Sequence, residues 1–450
     1  MTATLFANAR ILDGTANHAV DGHVLVENGV IAEVSDKPIA AASACRVDLR
    51  GRTLMPGLID AHVHVIASEV NLARHALLPD ALVAFRAAKI MHGMLMRGFT
   101  TIRDLGGATQ GLRAAREEGH FDAPRMVLCG KAISSTGGHS DGRGRWDNRD
   151  NHWAEQRLGA LGRIADGVDA VRRACREEIK GGADYIKIMA NGGVASPTDP
   201  IAFLGYSKDE IRAAVEEAQM AQTYVAAHLY TDEAIGRAVE CGVRSLEHCN
   251  LIEEATARKA AAAGAIACPT LVTYQALKDE GASLGLPAES VAKIDTVRLA
   301  GLESLEKMRR AGLMMAFGTD LLGEMHRHQS EEFVIRGRVL PAIEVIRSTT
   351  INAATLLRME GQIGVVAAGA HADLIVVEGD PLQDLALLTG QGRHLPAIML
   401  GGRFVKVQLG LGGLRVHSNA QAAPAFCLQN RFTRPGVHAL PLSALITRMA

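Results

Sequence analysis

The sequence predicts an α/β protein whose body is a (β/α)8 TIM barrel, and three observations carry that expectation. From about residue 54 onward, short apolar runs alternate with amphipathic stretches of helical length. Eight such runs precede residue 322, most of them followed by a helix, which implies parallel strands joined by right-handed crossovers. Histidines, a lysine and an aspartate stand at or near the ends of these runs, and in such a barrel that end carries the chemistry.

Residues 1 to about 55 read as a small β-unit. The stretches 5–12, 23–27 and 30–35 are β-rich, and Asp13-Gly14, Asp21-Gly22 and Asn28-Gly29 are hairpin signals between them. The alternation then opens with a strand over 54–65, a helix over 80–97, and strands over 100–105 and 125–133. A helix over 164–180 stops at Gly181-Gly182, and a strand over 184–189 follows. The next helix, 207–221, opens on Ser207 and Glu210, the spacing of a capping box. Strands are expected over 225–230, 245–249 and 265–272, with helices over 231–241 and 253–263 between them. A long helix over 288–311 leads to the last strand, 314–321. A helix over 343–358 and strands over 365–377 and 397–407 complete the pattern.

Composition narrows the function classes. A chain of 450 residues has room for a barrel of about 250–300 residues and a smaller unit. Lys+Arg is 48 and Asp+Glu is 49, so no basic footprint for nucleic acid or an anionic membrane is present. Aromatic residues are 4%, too few for a base-stacking surface. The seven cysteines (45, 129, 175, 241, 249, 268 and 427) form no Cys-x-x-Cys pair, and their odd number and irregular spacing argue for a reducing, cytoplasmic setting. The N-terminal residues lack a basic region and a long apolar run, so no signal peptide is expected. No uncharged apolar stretch reaches a membrane-spanning length.

The chemistry starts at Gly57-Leu58-Ile59-Asp60-Ala61-His62-Val63-His64-Val65. In a strand, residues i and i+2 share a face, so His62 and His64 present two imidazoles side by side, as one metal ion requires. Later runs add Lys187, His228, His248 and Asp320. Four imidazoles and one carboxylate are too few donors for two bridged metals. A buried lysine beside metals is driven towards its neutral amine. That amine can take up carbon dioxide, and the resulting carbamate is an anionic ligand able to bridge two ions.

The set His62-x-His64, Lys187, His228, His248 and Asp320 resembles that of the amidohydrolase superfamily. Three further runs are similar to its prolidase-like and carboxypeptidase-like branch, which includes ochratoxin-type amide hydrolases. They are Gly98-Phe-Thr-Thr-Ile-Arg-Asp-Leu-Gly-Gly107, Lys187-Ile-Met-Ala-Asn-Gly-Gly-Val-Ala-Ser-Pro-Thr-Asp-Pro200 and Gly318-Thr-Asp-Leu-Leu-Gly-Glu-Met-His-Arg-His-Gln-Ser330. Gly361-Gln-Ile-Gly and Ala372-Asp-Leu-Ile-Val-Val-Glu-Gly-Asp-Pro381 resemble its closing β-segment. The resemblance covers roughly residues 3 to 407 and implies a barrel with a small β-sandwich built from both chain ends. The expected domains are 1–55 and 346–408 for the sandwich and its helix, 56–345 for the barrel, and 409–450 as an extension of unknown structure.

The resemblance also implies two divalent metals, usually zinc, and a carboxylated Lys187. His62, His64 and Asp320 would hold one ion and His228 and His248 the other. Asp320 would also move the catalytic proton. Tyr230 shares the face of His228, and it and His139 match substrate-contacting positions of the family. Arg143, Arg145 and Arg149 read as a solvated loop, and His326 and His328 as lid residues rather than ligands. The expected activity is release of the C-terminal residue from dipeptides or N-acyl amino acids. A urea, carbamate or lactone hydrolase with the same site is the alternative, and a metal-free assembly protein the remote one. A small-molecule amide substrate and a homo-oligomer complete the expectation.

Overall fold

The computed structural model describes residues 3–150, 152–196, 198–409 and the backbone of 414–415. Cys427 and nearly all of the expected extension lie outside the described residues. The fold is α/β with parallel sheets and one mixed sheet.

The mixed sheet draws strands from both halves of the chain. It contains β1 (Thr4–Ile11), β2 (Val20–Glu27), β3 (Val30–Ser35), β4 (Cys45–Asp48) and β5 (Thr53–Pro56). The hairpin between β2 and β3 turns at Asn28 (φ 53°) and Gly29 (φ 85°), two successive left-handed residues of the kind a tight hairpin needs. Asp21-Gly22, expected as a turn, lies inside β2 and pairs with β1, because ladders with β1 and β3 on either side override the local turn preference.

A three-stranded parallel sheet follows, β6 (Leu58–Val63), β7 (Phe99–Asp104) and β8 (Arg125–Leu128). The expected single strand over 54–65 is thus split at Pro56-Gly57: β5 pairs within the mixed sheet, and β6 pairs with β7. The expected strand over 125–133 is also two, because Gly130 takes a left-handed φ of 69°.

The larger parallel sheet holds β9 (Ala132–Ser134), β10 (Gly162–Ile164), β11 (Ile186–Met189), β12 (Val225–Thr231), β13 (Ser245–Leu251) and β14 (Ile266–Cys268), in the order β10-β9-β11-β12-β13-β14. Backbone hydrogen bonds join the two parallel sheets at both edges. Asp184 N–H donates to Leu128 O (2.7 Å), Ala316 N–H to Ala267 O (2.8 Å), and Ala61 N–H to Phe317 O (2.7 Å). The expected last strand over 314–321 is reduced to one bridge at Met315 and these bonds.

The chain then returns to the mixed sheet through β15 (Leu374–Val377), β16 (Ala397–Leu400), β17 (Arg403–Val407) and β18 (Leu414–Arg415). Its order is β17-β16-β15-β5-β1-β2-β3, with β4 on β1 and on β18. Residues 365–373, expected as strand, precede β15 without joining it.

The helices cover the parallel strands with their apolar faces, and the shared core runs from Val83 and Met91 through Ile188 and Leu246 to Phe333. Ser207 and Glu210 form the expected capping box at the helix Lys208–Met220. The helix expected over 288–311 is three short ones, Ala288–Val291, Ile294–Arg298 and Gly301–Arg310. The first break turns Lys293 inward onto backbone carbonyls. The stretch 343–358 breaks at Thr350, whose backbone is not helical, and 265–272 passes from β14 into a short helix, Leu271–Ala276. Among the described residues, no helix is long and apolar enough to cross a membrane.

Candidate metal centre and its pocket

The strand ends converge on one cavity of about 590 Å³, lined by His62, His64, Lys187, His228, His248 and Asp320 together with Tyr230 and His139. All eight residues expected from the sequence therefore meet in one place. The Nε2 atoms of His62 and His64 lie 3.3 and 3.1 Å from the same Asp320 oxygen. His62 Nδ1 is 2.8 Å from Glu247 Oε2, and His228 Nδ1 is 2.9 Å from His248 Nε2.

Local backbone irregularity aims these groups. β6 slips register against β7 between Asp60 and Val63, so His62 is re-aimed at the strand end. Gly318 runs against that strand closely enough that a Cβ would sit 2.7 Å from His62 Cβ. Two residues later Asp320 takes a left-handed φ of 54°, and its N–H donates to His62 O (2.8 Å). His248 is also left-handed, φ 69°. A regular strand would turn Glu247 and His248 to opposite faces. The left-handed turn brings both inward, at the cost that such backbone carries at functional sites.

Glu247 was missed by sequence reasoning. It is fully buried and bonds Arg103 Nη2 (2.8 Å), Ser245 Oγ (2.5 Å) and His62 Nδ1. A glutamate within a buried strand, next to a site histidine, was the signal available. Burial alone would raise its carboxyl, but Arg103 and then His62 hold it well below the usual range. Asp320 is likewise pushed up by burial and overcome by the His62 charge and bonds from His62 and His64, so it is ionised. Burial lowers His62, but Asp320 and Glu247 outweigh it and raise the ring. Two carboxylates thus call for positive charge at one point between them.

Whether this donor set suits metal ions can be judged from which nitrogens are already committed. His228 Nε2 lies 3.1 Å from Gly192 O, which can only accept, so that nitrogen donates and Nδ1 carries a lone pair. His248 Nδ1 is 2.8 Å from the Thr270 hydroxyl, which can accept its proton and leave Nε2 free. Burial, and then neighbouring charge, holds both rings well below the ordinary imidazole range, so they are neutral. Glu247 accepts from His62 Nδ1–H, so it is Nε2, the nitrogen that faces Asp320, that would give up its proton to a metal. His64 Nδ1 is buried without a hydrogen-bond partner. The lone pairs of His228 Nδ1 and His248 Nε2, facing one another at 2.9 Å, repel unless a cation lies between them, and beside Asp320 the proton on His62 stands where such a cation would be held. Ligand atoms of His62, His248 and Asp320 lie within 4.8 Å of one another. Lys187 is buried, and burial lowers its ammonium against the pull of Glu247 and Asp320. The residues fit metal ions.

The substrate side is built by loops. Tyr230 OH accepts from Tyr274 OH (3.0 Å), so its own proton is free for the cavity. The His139 ring stacks on the His228 ring with centroids 4.1 Å apart. Arg143 and Arg149 line the rim but are paired to Asp141 and Asp147. His326 Nε2 bonds Ala67 O (3.1 Å), away from the metal-centre residues.

The sequence profile described as the amidohydrolase family matches residues 53–405. A crystal structure of an amidohydrolase is 53% identical, covers 91% of this chain and 100% of its own, and superposes with a TM-score of 0.89. A crystal structure of a prolidase complexed with N-methylphosphonate-L-proline is 50% identical, covers 90% of this chain and 100% of its own, with a TM-score of 0.89. Ochratoxinase of Aspergillus niger is 27% identical over 425 residues, 90% of this chain and 86% of its own.

Proposed function

The chain belongs to the amidohydrolase family, a hydrolase of amide bonds, and from that premise we propose that it releases the C-terminal residue of dipeptides or N-acyl amino acids with two bound divalent metals. The observation that carries this reading is the facing of His228 Nδ1 and His248 Nε2 at 2.9 Å, beside a buried lysine and an ionised Asp320. We take His62, His64 and Asp320 as holders of one ion, His228 and His248 as holders of the other, and carboxylated Lys187 as the bridge, with zinc the expected metal. The fold this implies is a closed (β/α)8 barrel over 56–345 with a β-sandwich from 1–55 and 346–408. The dipeptide choice is supported by the prolidase relative and its phosphonate-proline ligand. A homo-oligomer in the cytoplasm belongs to the same proposal.

When bound, the metals supply a water of lowered pKa and a Lewis acid at the scissile carbonyl. The chain's own residues do the rest. Asp320 accepts the proton of the attacking water and hands it to the departing amine, so that the C–N bond breaks with a neutral leaving group. The hydroxyl proton of Tyr230, not used in its bond with Tyr274, would be available to negative charge developing on the carbonyl oxygen. His139, stacked on His228, would meet the substrate beside it.

The test is a release assay on purified protein supplied with zinc and bicarbonate, across a matrix of dipeptides and N-acyl amino acids. The expected result is turnover that is lost with a chelator and with Lys187→Ala. No turnover across the matrix, from protein holding about two metals per chain, overturns the reading.

A further inference from the structure

His139 stands on a loop after β9, yet its ring is fixed from four sides. It lies against Gly193 so closely that a Cβ there would sit 1.8 Å from His139 Cε1 and 1.9 Å from Nδ1. Its other face stacks on His228. Its Nδ1 is 2.7 Å from Ser196 Oγ and 3.4 Å from Asp199 Oδ2. Asp199 is buried and takes hydrogen bonds from the Ser196 hydroxyl and from Gly193 N–H (2.8 Å).

The direction of these bonds follows from what each group can give. Both Asp199 oxygens accept, one from Gly193 N–H and the other from the Ser196 hydroxyl, so the one proton of that hydroxyl is spent there. Ser196 Oγ then has only lone pairs for His139, and Nδ1 must be the nitrogen that donates. Nε2 has no protein partner among the described residues and is the atom left for the pocket. The loop that carries Ser196 and Asp199 is itself pinned. Lys293 Nζ, from the break between two short helices, donates to Gly193 O (2.5 Å), Ser196 O (2.7 Å) and Asp199 O (3.1 Å).

We propose that Asp199 is a positioning residue that, through Ser196, sets the Nδ1–H tautomer of His139 and turns its Nε2 to the substrate, with Gly193 as the floor and Lys293 as the clasp of the unit. The substrate half of this statement rests on the function proposed above; the tautomer half does not. Asp199→Asn keeps the shape and reverses the sense of the chain. Gly193 N–H still needs an acceptor, so the carboxamide oxygen turns to it and the NH2 faces Ser196. The hydroxyl then donates to His139 Nδ1, and the ring proton moves to Nε2.

The experiment is ¹⁵N-histidine NMR of the zinc-loaded protein at one neutral pH, with the His139 signals identified by their loss in His139→Gln. The expected spectrum has Nδ1 protonated in the wild type and Nε2 protonated in Asp199→Asn. On dipeptides, Asp199→Asn should raise KM by about tenfold and leave kcat within about threefold, as loss of ground-state contact predicts. A wild-type ring protonated at Nε2, or an unchanged spectrum and KM in Asp199→Asn, overturns the proposal. If Asp199→Asn does not fold, Ser196→Ala should release the Nδ1 proton signal and Ser196→Thr should restore it; a signal indifferent to both overturns it equally. If no dipeptide is turned over at all, the spectra still decide the tautomer, so the two failures are told apart.

Discussion

The floor and the rim of the pocket are held by different physics. On the floor, Arg103, Glu247, His62 and Asp320 are tied together inside the protein, by contacts of 2.8, 2.8 and 3.3 Å. At the rim, Arg149 pairs with Asp147 in the open, Arg74 reaches Glu69, and Trp153 stands half-exposed. Low dielectric magnifies a charge removed from the floor, and water and salt screen one removed from the rim. Changes on the floor should therefore abolish function, and changes on the rim should tune it.

The sharpest way to break that contrast is Asp320→Asn. It should lower kcat by about 10²–10⁴-fold, the size of a lost general acid–base. An activity near wild type, in protein with an unchanged metal content by mass spectrometry, would remove Asp320 from the proton path. Glu247→Gln comes next. It leaves His62 without its carboxylate and should weaken metal affinity or activity about 10–100-fold, measured by competition with a chelator. Unchanged affinity would show that Glu247 serves only as counter-ion to Arg103.

A third prediction concerns pH. Burial, working against the bond to Ala67 O, holds the His326 ring down to about 3, so it stays neutral in the fold. The unfolded chain takes up a proton there as pH falls below about 6.5, and the folded chain does not. Stability from this group is thus full above that pH and declines as pH drops towards 3, by up to about 1.4 kcal/mol per unit. Urea unfolding at pH 7, 6 and 5 should show a shallower decline in His326→Gln than in wild type. Parallel declines would contradict it. The smallest effect is expected at the rim. Trp153→Ala should change stability by no more than about 0.5 kcal/mol, and KM for bulky apolar substrates by no more than about tenfold. A collapse of kcat in that variant would erase the distinction between floor and rim.

The same contrast explains what could be read from the sequence. His62, His64, Lys187, His228, His248 and Asp320 were legible because each is a residue type with a ligand's chemistry at the end of an apolar run. Glu247 was not, because strand alternation assigns it the face away from His248, and only the left-handed backbone at His248 reverses that. Ser196, Asp199 and Thr270 sit in loops, whose course periodicity does not encode. The alternation of strand and helix was readable, but short elements such as Cys45–Asp48, Gln110–Glu117 and Gly162–Ile164 were not, nor were the breaks. Gly130, Thr350 and the turn at Lys293 interrupt runs whose composition is continuous, because distant partners take the hydrogen bonds.

The hydrogen bond from Asp320 N–H to His62 O joins the first strand of the parallel assembly to its last segment. His62 and its carboxylate therefore meet only when the chain between them has been threaded and folded. During synthesis the histidine pair emerges early and waits for the later parallel strands before Asp320 reaches it. Tight capture of a cation by the proposed centre would accordingly be an act of the finished fold.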